Sequence, residues 1–174
     1  IISTVGNGMI RLQKSQAAGS YGSNYGLFVA ADASQLKEVN RRAEIDATGT
    51  MCTEGIIKGN EKGGFVCMDE TARKMLPYNK EYELKEGKYP GETQEIAAGR
   101  AFFSEMGYDD VKVGDTVTLD YRAGMQSEYK PEEFVVSGIL YDRDEYTIEA
   151  SYVAFGSQEF YDEHVAENDR QYNI

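Results

Sequence analysis

Apolar positions recur along this chain in two rhythms, helical at the start and strand-like after it. Ile1, Ile2, Val5, Met9, Ile10 and Leu12 fall on one side of a helical wheel, so residues 2–18 read as a helix that Gly19 and the Gly/Ser/Tyr/Asn stretch of residues 20–26 bring to an end. Leu27-Phe28-Val29-Ala30-Ala31 is a short apolar run suited to a buried strand. Asp32 followed three residues later by Gln35 has the capping-box pattern, and Leu36, Val39 and Ala43 continue it as the stripe of a helix over residues 33–45. A strand over residues 48–57 then completes a β-α-β unit, right-handed if its strands are parallel.

Beyond Gly59 the period shortens. Gly63-Gly64 introduces a strand over residues 65–68, a short helix follows from about Glu70, and Pro77 stops it. Glu95 to Ala98 reads as a strand and Arg100 to Met106 as a helix with Phe102, Phe103 and Met106 inward and Gly107 as its stop. Residues 117–121 and 134–141 are the most strand-like segments. Val117 and Leu119 share one face, and Val135, Ser137 and Ile139 oppose Phe134, Val136 and Gly138. The two should be antiparallel neighbours across the loop of residues 122–131. Residues 152–155 give another strand, residues 157–165 a helix capped by Ser157, and residues 171–174 the start of a strand.

Composition narrows the function classes. At 174 residues, 41% hydrophobic and 28% charged, the chain can build one ordinary core, or a compact unit with an inserted lobe. No apolar run approaches the roughly 20 residues that span a bilayer. Eighteen basic against thirty acidic residues leave a net charge of −12, which argues against nucleic acid, because phosphate neutralisation needs clustered Lys and Arg.

Catalytic chemistry is scarce. His164 is the only histidine, so neither a zinc helix with paired histidines nor a histidine relay with an imidazole second shell can be assembled, and on the surface of the last helix it reads as a solvated or satisfied residue. Gly87-Lys88 lacks the upstream glycine of a phosphate loop and is followed by Tyr89. Asp109-Asp110, Glu132-Glu133, and Asp142, Asp144 and Glu145 are acidic pairs that a glycosidase could use only if two faced each other across a cleft. Asp142-x-Asp144 opens like a calcium loop, yet the sixth position is Thr147 and the twelfth Val153, so no metal, cofactor or catalytic residue is assigned. Thirteen tyrosines without a tryptophan, mostly at loops and strand ends, suit either a peptide or protein contact surface or half-buried rings at strand edges.

What residues 84–140 carry is order. Leu84, Glu86-Gly87 and Pro90 lead to Glu95-Ile96, then to Gly114-Asp115-Thr116 and Leu119, and finally to Val135-Val136-Ser137-Gly138-Ile139. That order resembles the extracytoplasmic domain of the MacB/FtsX-like permeases of ABC transporters, with Ser137 as one residue inserted before the glycine. The resemblance implies an α+β fold in which a β-α-β porter-like lobe carries an inserted mixed, strand-rich sabre-like lobe. Mapped on this chain, residues 1–19 are a juxtamembrane-type helix, 20–58 the first half of the porter-like lobe, 59–157 the inserted lobe, and 158–174 a truncated return. Gly87, Pro90, Glu95, Ile96, Gly114, Asp115, Thr116 and Gly138 are then structural residues of the motif.

The resemblance further implies a non-enzymatic, membrane-anchored domain facing the extracellular or periplasmic side. Its partners would be the membrane-spanning remainder of the same permease, a separate cytoplasmic ATP-binding subunit or domain, and an extracellular protein or peptide. The Ile1-Ile2 opening fits the exit of a preceding membrane helix as well as a self-contained helix, and Ile1 and Ile174 are expected at the same end of the fold. A secreted or surface-anchored ligand-binding or adhesion module is the alternative, and a carboxylate-based hydrolase the third reading. For an outward-facing chain, Cys52 and Cys67, the only cysteines, allow a disulfide closing a loop of roughly 15 residues, worth about 3 kcal/mol, or two buried free thiols.

Overall fold

The computed structural model describes residues 26–75, 82–142 and 152–174. Seven strands lie in one sheet: β1 (Met51–Ile57), β2 (Gly64–Met68), β3 (Leu84–Gly87), β4 (Glu95–Gly99), β5 (Thr116–Arg122), β6 (Lys130–Leu140) and β7 (Val153–Phe155). The order β6-β4-β7-β2-β1-β5 closes on itself because β5 also pairs with β6, giving a six-stranded mixed barrel with β3 as a flap on β6. Closure works because β6 is long. Along one edge, residues 130–135 pair with β5 and residues 138–140 with β3, and the opposite edge pairs with β4. The β2–β7 and β4–β6 pairs are parallel and the others antiparallel.

Alternation along the strands fills the barrel. Phe65, Ile96, Val117, Leu119, Phe134, Val136 and Ile139 point inward and are essentially inaccessible. Phe65 stands edge-on to Tyr121, Phe134 and Phe160 with centroids 5.6–6.0 Å apart, the arrangement favoured by ring quadrupoles. Phe160 comes from helix α4 (Gln158–His164), whose N-cap Ser157 accepts a hydrogen bond from Phe160 N–H. Helices α1 (Ala33–Val39), α2 (Glu70–Met75) and α3 (Arg100–Glu105) are as short. Phe102 and Phe103 of α3 reach the main core, and Ala72 of α2 packs on an outer cluster with Val66, Leu140 and Phe155.

The closed barrel overturns the expected α+β architecture with its β-α-β porter-like lobe. Both neighbours of β1 are antiparallel, and residues 28–31 form no strand of the sheet but pair antiparallel with residues 172–174, through Phe28–Ile174 and Ala31–Tyr172. The β1 edge beside Met51 is taken by Asn173, and residues 28–31 pair with residues 172–174 outside the barrel, leaving Leu27, Phe28 and Val29 60%, 55% and 70% exposed. The capping box of α1 is present, with Asp32 accepting from the Gln35 amide and Gln35 accepting from the Asp32 amide. The helix stops at Val39 rather than near residue 45, because Ala43 meets no apolar partner and is exposed. The antiparallel β5–β6 hairpin is found where expected, with a shorter loop, since Lys130 to Glu133 already pair with β5.

The expected alternation of β6 fails at one point. Ile96 faces Val136 and Ala97 faces Gly138, so Ser137 is an extra residue bulging out of the ladder. The bulge switches the phase: Phe134 and Val136 point inward before it, and Ile139 points inward after it. The helix expected over residues 2–18, the Pro77 stop, and Asp144 and Glu145 lie outside the described residues.

Candidate functional site

The motif residues converge on one seam around residues 134–138. Gly87, at φ 79°, faces Gly138, and a Cβ on either would come within 2.2–2.5 Å of the carbonyl oxygen of Ser137 or Lys88. Only glycine allows the two backbones to approach this closely. Pro90 sets a turn whose Gly91 and Glu92 N–H groups both donate to Glu95 Oε2, at 2.8 and 3.1 Å, while Lys88 Nζ lies 2.7 Å from Oε1. Burial pushes the Glu95 carboxyl up, but Lys88 and the two amides outweigh it and hold it below the usual range. Gly114, at φ 96°, turns the chain so that its N–H reaches Val136 C=O and Asp115 C=O accepts from Val136 N–H. Asp115 Oδ2 accepts from Lys112 N–H, and Thr116 pairs with Val135. Ile96 is fully buried. The inserted Ser137 donates its hydroxyl to Ile96 C=O at 3.3 Å and offers its own carbonyl to Lys88 N–H at 2.9 Å. These motif residues form a scaffold of turns and a bulge, with Glu95 engaged as a turn cap.

A second feature lies where the described chain begins and ends. Phe28 and Ile174 exchange both backbone hydrogen bonds at 2.9 Å, Ala31 and Tyr172 do the same at 2.8 Å, and Asn173 pairs on its other side with Met51. Residues 28–31 and 172–174 therefore run antiparallel, side by side. Ile1 lies outside the described residues. Beside them is a groove of about 500 Å³ lined by Phe28, Val39, Ile45, Met75 and Ile174, with Glu44 and Asp46 at its rim.

A third feature is polar and buried. Glu54 is the extra residue of a bulge in β1, where Thr53 faces Val66 and Gly55 faces Phe65. Its side chain is inaccessible, and neither carboxylate oxygen has a hydrogen-bond partner. Burial, and secondarily the neighbouring Cys67 sulfur, hold this carboxyl well above the usual glutamate range, which favours its neutral form in the wall. A Cβ on Gly156 would lie 2.2–2.6 Å from the carboxyl group, so glycine there makes room for it. Cys52 and Cys67 face each other across β1 and β2 as free, buried thiols, and both donate to Gln158 Oε1, at 3.8 and 3.5 Å. The Glu54 and Gln158 roles are absent from the sequence reading. The spacing Cys52-x-Glu54, two residues on one strand face, is the one signal that could have placed Glu54 inward.

The remaining chemical candidates disperse. Of the two readings of His164 the satisfied one holds: the ring is half-buried, stacks on Phe160 at 3.8 Å between centroids, and has Nδ1 2.9 Å from Phe160 C=O. Asp109 accepts from Ser104 and Asp142 caps Ala101 N–H. Among the described residues no cluster of three His, Cys, Asp or Glu side chains could hold a metal, and no helix is long and apolar enough to cross a membrane. Tyr82, Tyr89, Tyr129 and Tyr152 are half-buried at strand and loop edges, and Tyr121 is buried. No protein-family model matches the chain, and no curated protein does.

Proposed function

We propose that this domain is the extracytoplasmic part of a MacB/FtsX-like ABC transporter permease, a non-enzymatic unit that passes ATP-driven movement to a substrate, lipoprotein, peptide or partner protein outside the membrane. The convergence of the motif residues carries the reading: the eight of them and the inserted Ser137 lie on neighbouring turns and strands of one seam. The pairing of residues 28–31 with 172–174 agrees with it, because it brings an early and a late segment of the described chain side by side. Its partners are then the membrane-spanning remainder of the permease and a cytoplasmic ATP-binding subunit. A barrel with a close-packed aromatic core moves as a rigid piece, which suits a part that transmits displacement.

The test is labelling in intact cells that express the full-length gene product with Met125→Cys, a position 73% exposed on the β5–β6 loop. A membrane-impermeant maleimide should label it without lysis, and the labelled protein should sediment with membranes. Labelling only after lysis, or recovery of the protein in the medium, overturns the reading. The second outcome is the one a secreted adhesion module would give.

A further inference from the structure

We propose that Cys52 and Cys67 form a thiol–disulfide site, which closes into a cross-strand bridge on meeting an oxidant of the disulfide class and reopens on reduction. The inference holds whether or not the domain is tethered to a membrane. The two residues are direct partners in the β1–β2 register. Opposed residues of antiparallel strands have Cα atoms about 4.5–5.5 Å apart, inside the about 4.4–6.8 Å that disulfides span. Both thiols share one small cluster with Tyr161, and both aim at the same acceptor, Gln158 Oε1. A hydrogen bond with the Cys52 thiol, and then burial, hold the Cys67 thiol well above the ordinary cysteine range. Two thiols opposed in register and aimed at one acceptor need side-chain rotation, not strand movement, to bond.

Access is gated. Cys52 is 1% and Cys67 4% exposed, beneath α4 and residues 165–172. That cover is held by the Tyr161 hydroxyl, which accepts from Gln171 N–H at 2.8 Å and donates to Gln171 C=O at 3.0 Å, and by Arg170, which donates to Val165 C=O and Asp162 C=O. A seven-residue helix opens locally at less cost than the barrel unfolds. In the open state one cysteine, as thiolate, attacks a sulfur of the oxidant and displaces one thiolate. The second cysteine attacks the resulting mixed disulfide and displaces the other. Two protein thiols become one disulfide, one oxidant disulfide becomes two thiols, and two protons pass from the cysteines to the departing thiolates. Closure also removes both S–H donors from Gln158 Oε1.

The test is incubation of the native protein with oxidised glutathione, followed by acid quench, denaturation, alkylation with N-ethylmaleimide and intact mass measurement. The expected product is lighter by two hydrogens, carries neither alkyl group nor glutathione, and reverts with dithiothreitol. Two alkylated thiols after prolonged incubation, or a persistent glutathione adduct, overturn the proposal. Cys52→Ser leaves one thiol and should go no further than an adduct; loss of two hydrogens in that variant overturns the pairing. Tyr161→Phe keeps the ring but removes its two hydrogen bonds to Gln171, and should speed bridge formation about tenfold. An unchanged rate overturns the gate.

Discussion

Two bulges in the barrel wall pose the same physical problem and answer it differently. Ser137 in β6 and Glu54 in β1 are each one residue too many for the facing strand, and each is a buried polar residue beside a glycine that has no room for a Cβ. Ser137 is partnered on both its hydroxyl and its carbonyl, whereas the Glu54 carboxyl has no partner and survives by staying protonated. A bulge is thus a benign way to re-phase a strand when its extra side chain is small and can bond the adjacent backbone. When the extra side chain is a carboxyl, the bulge makes the fold sensitive to pH.

The largest effects should come from the glycines. Gly138→Ala forces a Cβ to within 2.5 Å of Lys88 O, and we expect a loss of about 3 kcal/mol in denaturant unfolding. Gly156→Ala should cost a similar amount, but by collision with a side chain, so adding Glu54→Ala should recover part of it. A double-mutant cycle without coupling between residues 54 and 156 would break the comparison. Next comes the turn that feeds the Ser137 bulge. Glu95→Ala removes the acceptor of two amides and the partner of Lys88, for an expected loss of about 2 kcal/mol at neutral pH. Because the folded state holds the Glu95 carboxyl low, this contribution is present above the unfolded glutamate pKa and lost as pH falls through the folded one.

The contrast between the bulges also explains what was legible in the sequence. Ser137 stood out because a motif had a definite spacing and this chain exceeded it by one, and an insertion inside a strand has few outlets other than a bulge. Secondary elements with local signals, such as the Asp32–Gln35 box, the Ser157 cap and the alternation of β5, are where periodicity puts them. Closure is a different kind of fact. It depends on β6 being long enough to serve β5 and β3 in succession on one edge, a non-local pairing that no short window records. For the same reason Leu27-Phe28-Val29 reads as core although the barrel leaves it outside. Glu54 escaped because an acidic residue in an acidic chain looks like surface until its strand partners are known.

Glu54 supplies the opposite pH dependence to Glu95. Its folded-state pKa is raised, so above the ordinary value of 4.5 the unfolded chain releases the proton while the folded chain keeps it. The unfolded state then binds fewer protons, and stability falls as pH rises, by about 1.4 kcal/mol per pH unit, until the folded carboxyl itself ionises. Glu54→Gln cannot titrate. The difference in unfolding free energy between wild type and this variant, followed from pH 4 upward, should therefore decline with that slope. A flat difference would mean that the carboxyl finds a partner or water in solution, and the two bulges would no longer differ in kind.

The smallest expected effect sharpens the comparison most. Ser137→Ala removes one hydroxyl whose bond to Ile96 C=O is long, 3.3 Å, between neutral groups, so the loss should be about 0.5–1 kcal/mol. The backbone of the bulge should survive, because Ser137 C=O still accepts from Lys88 N–H and the Ile96–Val136 and Ala97–Gly138 pairs do not involve the side chain. Since a hydroxyl does not titrate in the accessible range, the loss should be the same at pH 5 and pH 9, measured by urea unfolding at both. A loss that grew toward acid would tie Ser137 to the Glu95 turn through Lys88, making the seam one electrostatic unit. A constant loss leaves the β6 bulge a matter of geometry, with the response to alkaline pH confined to β1.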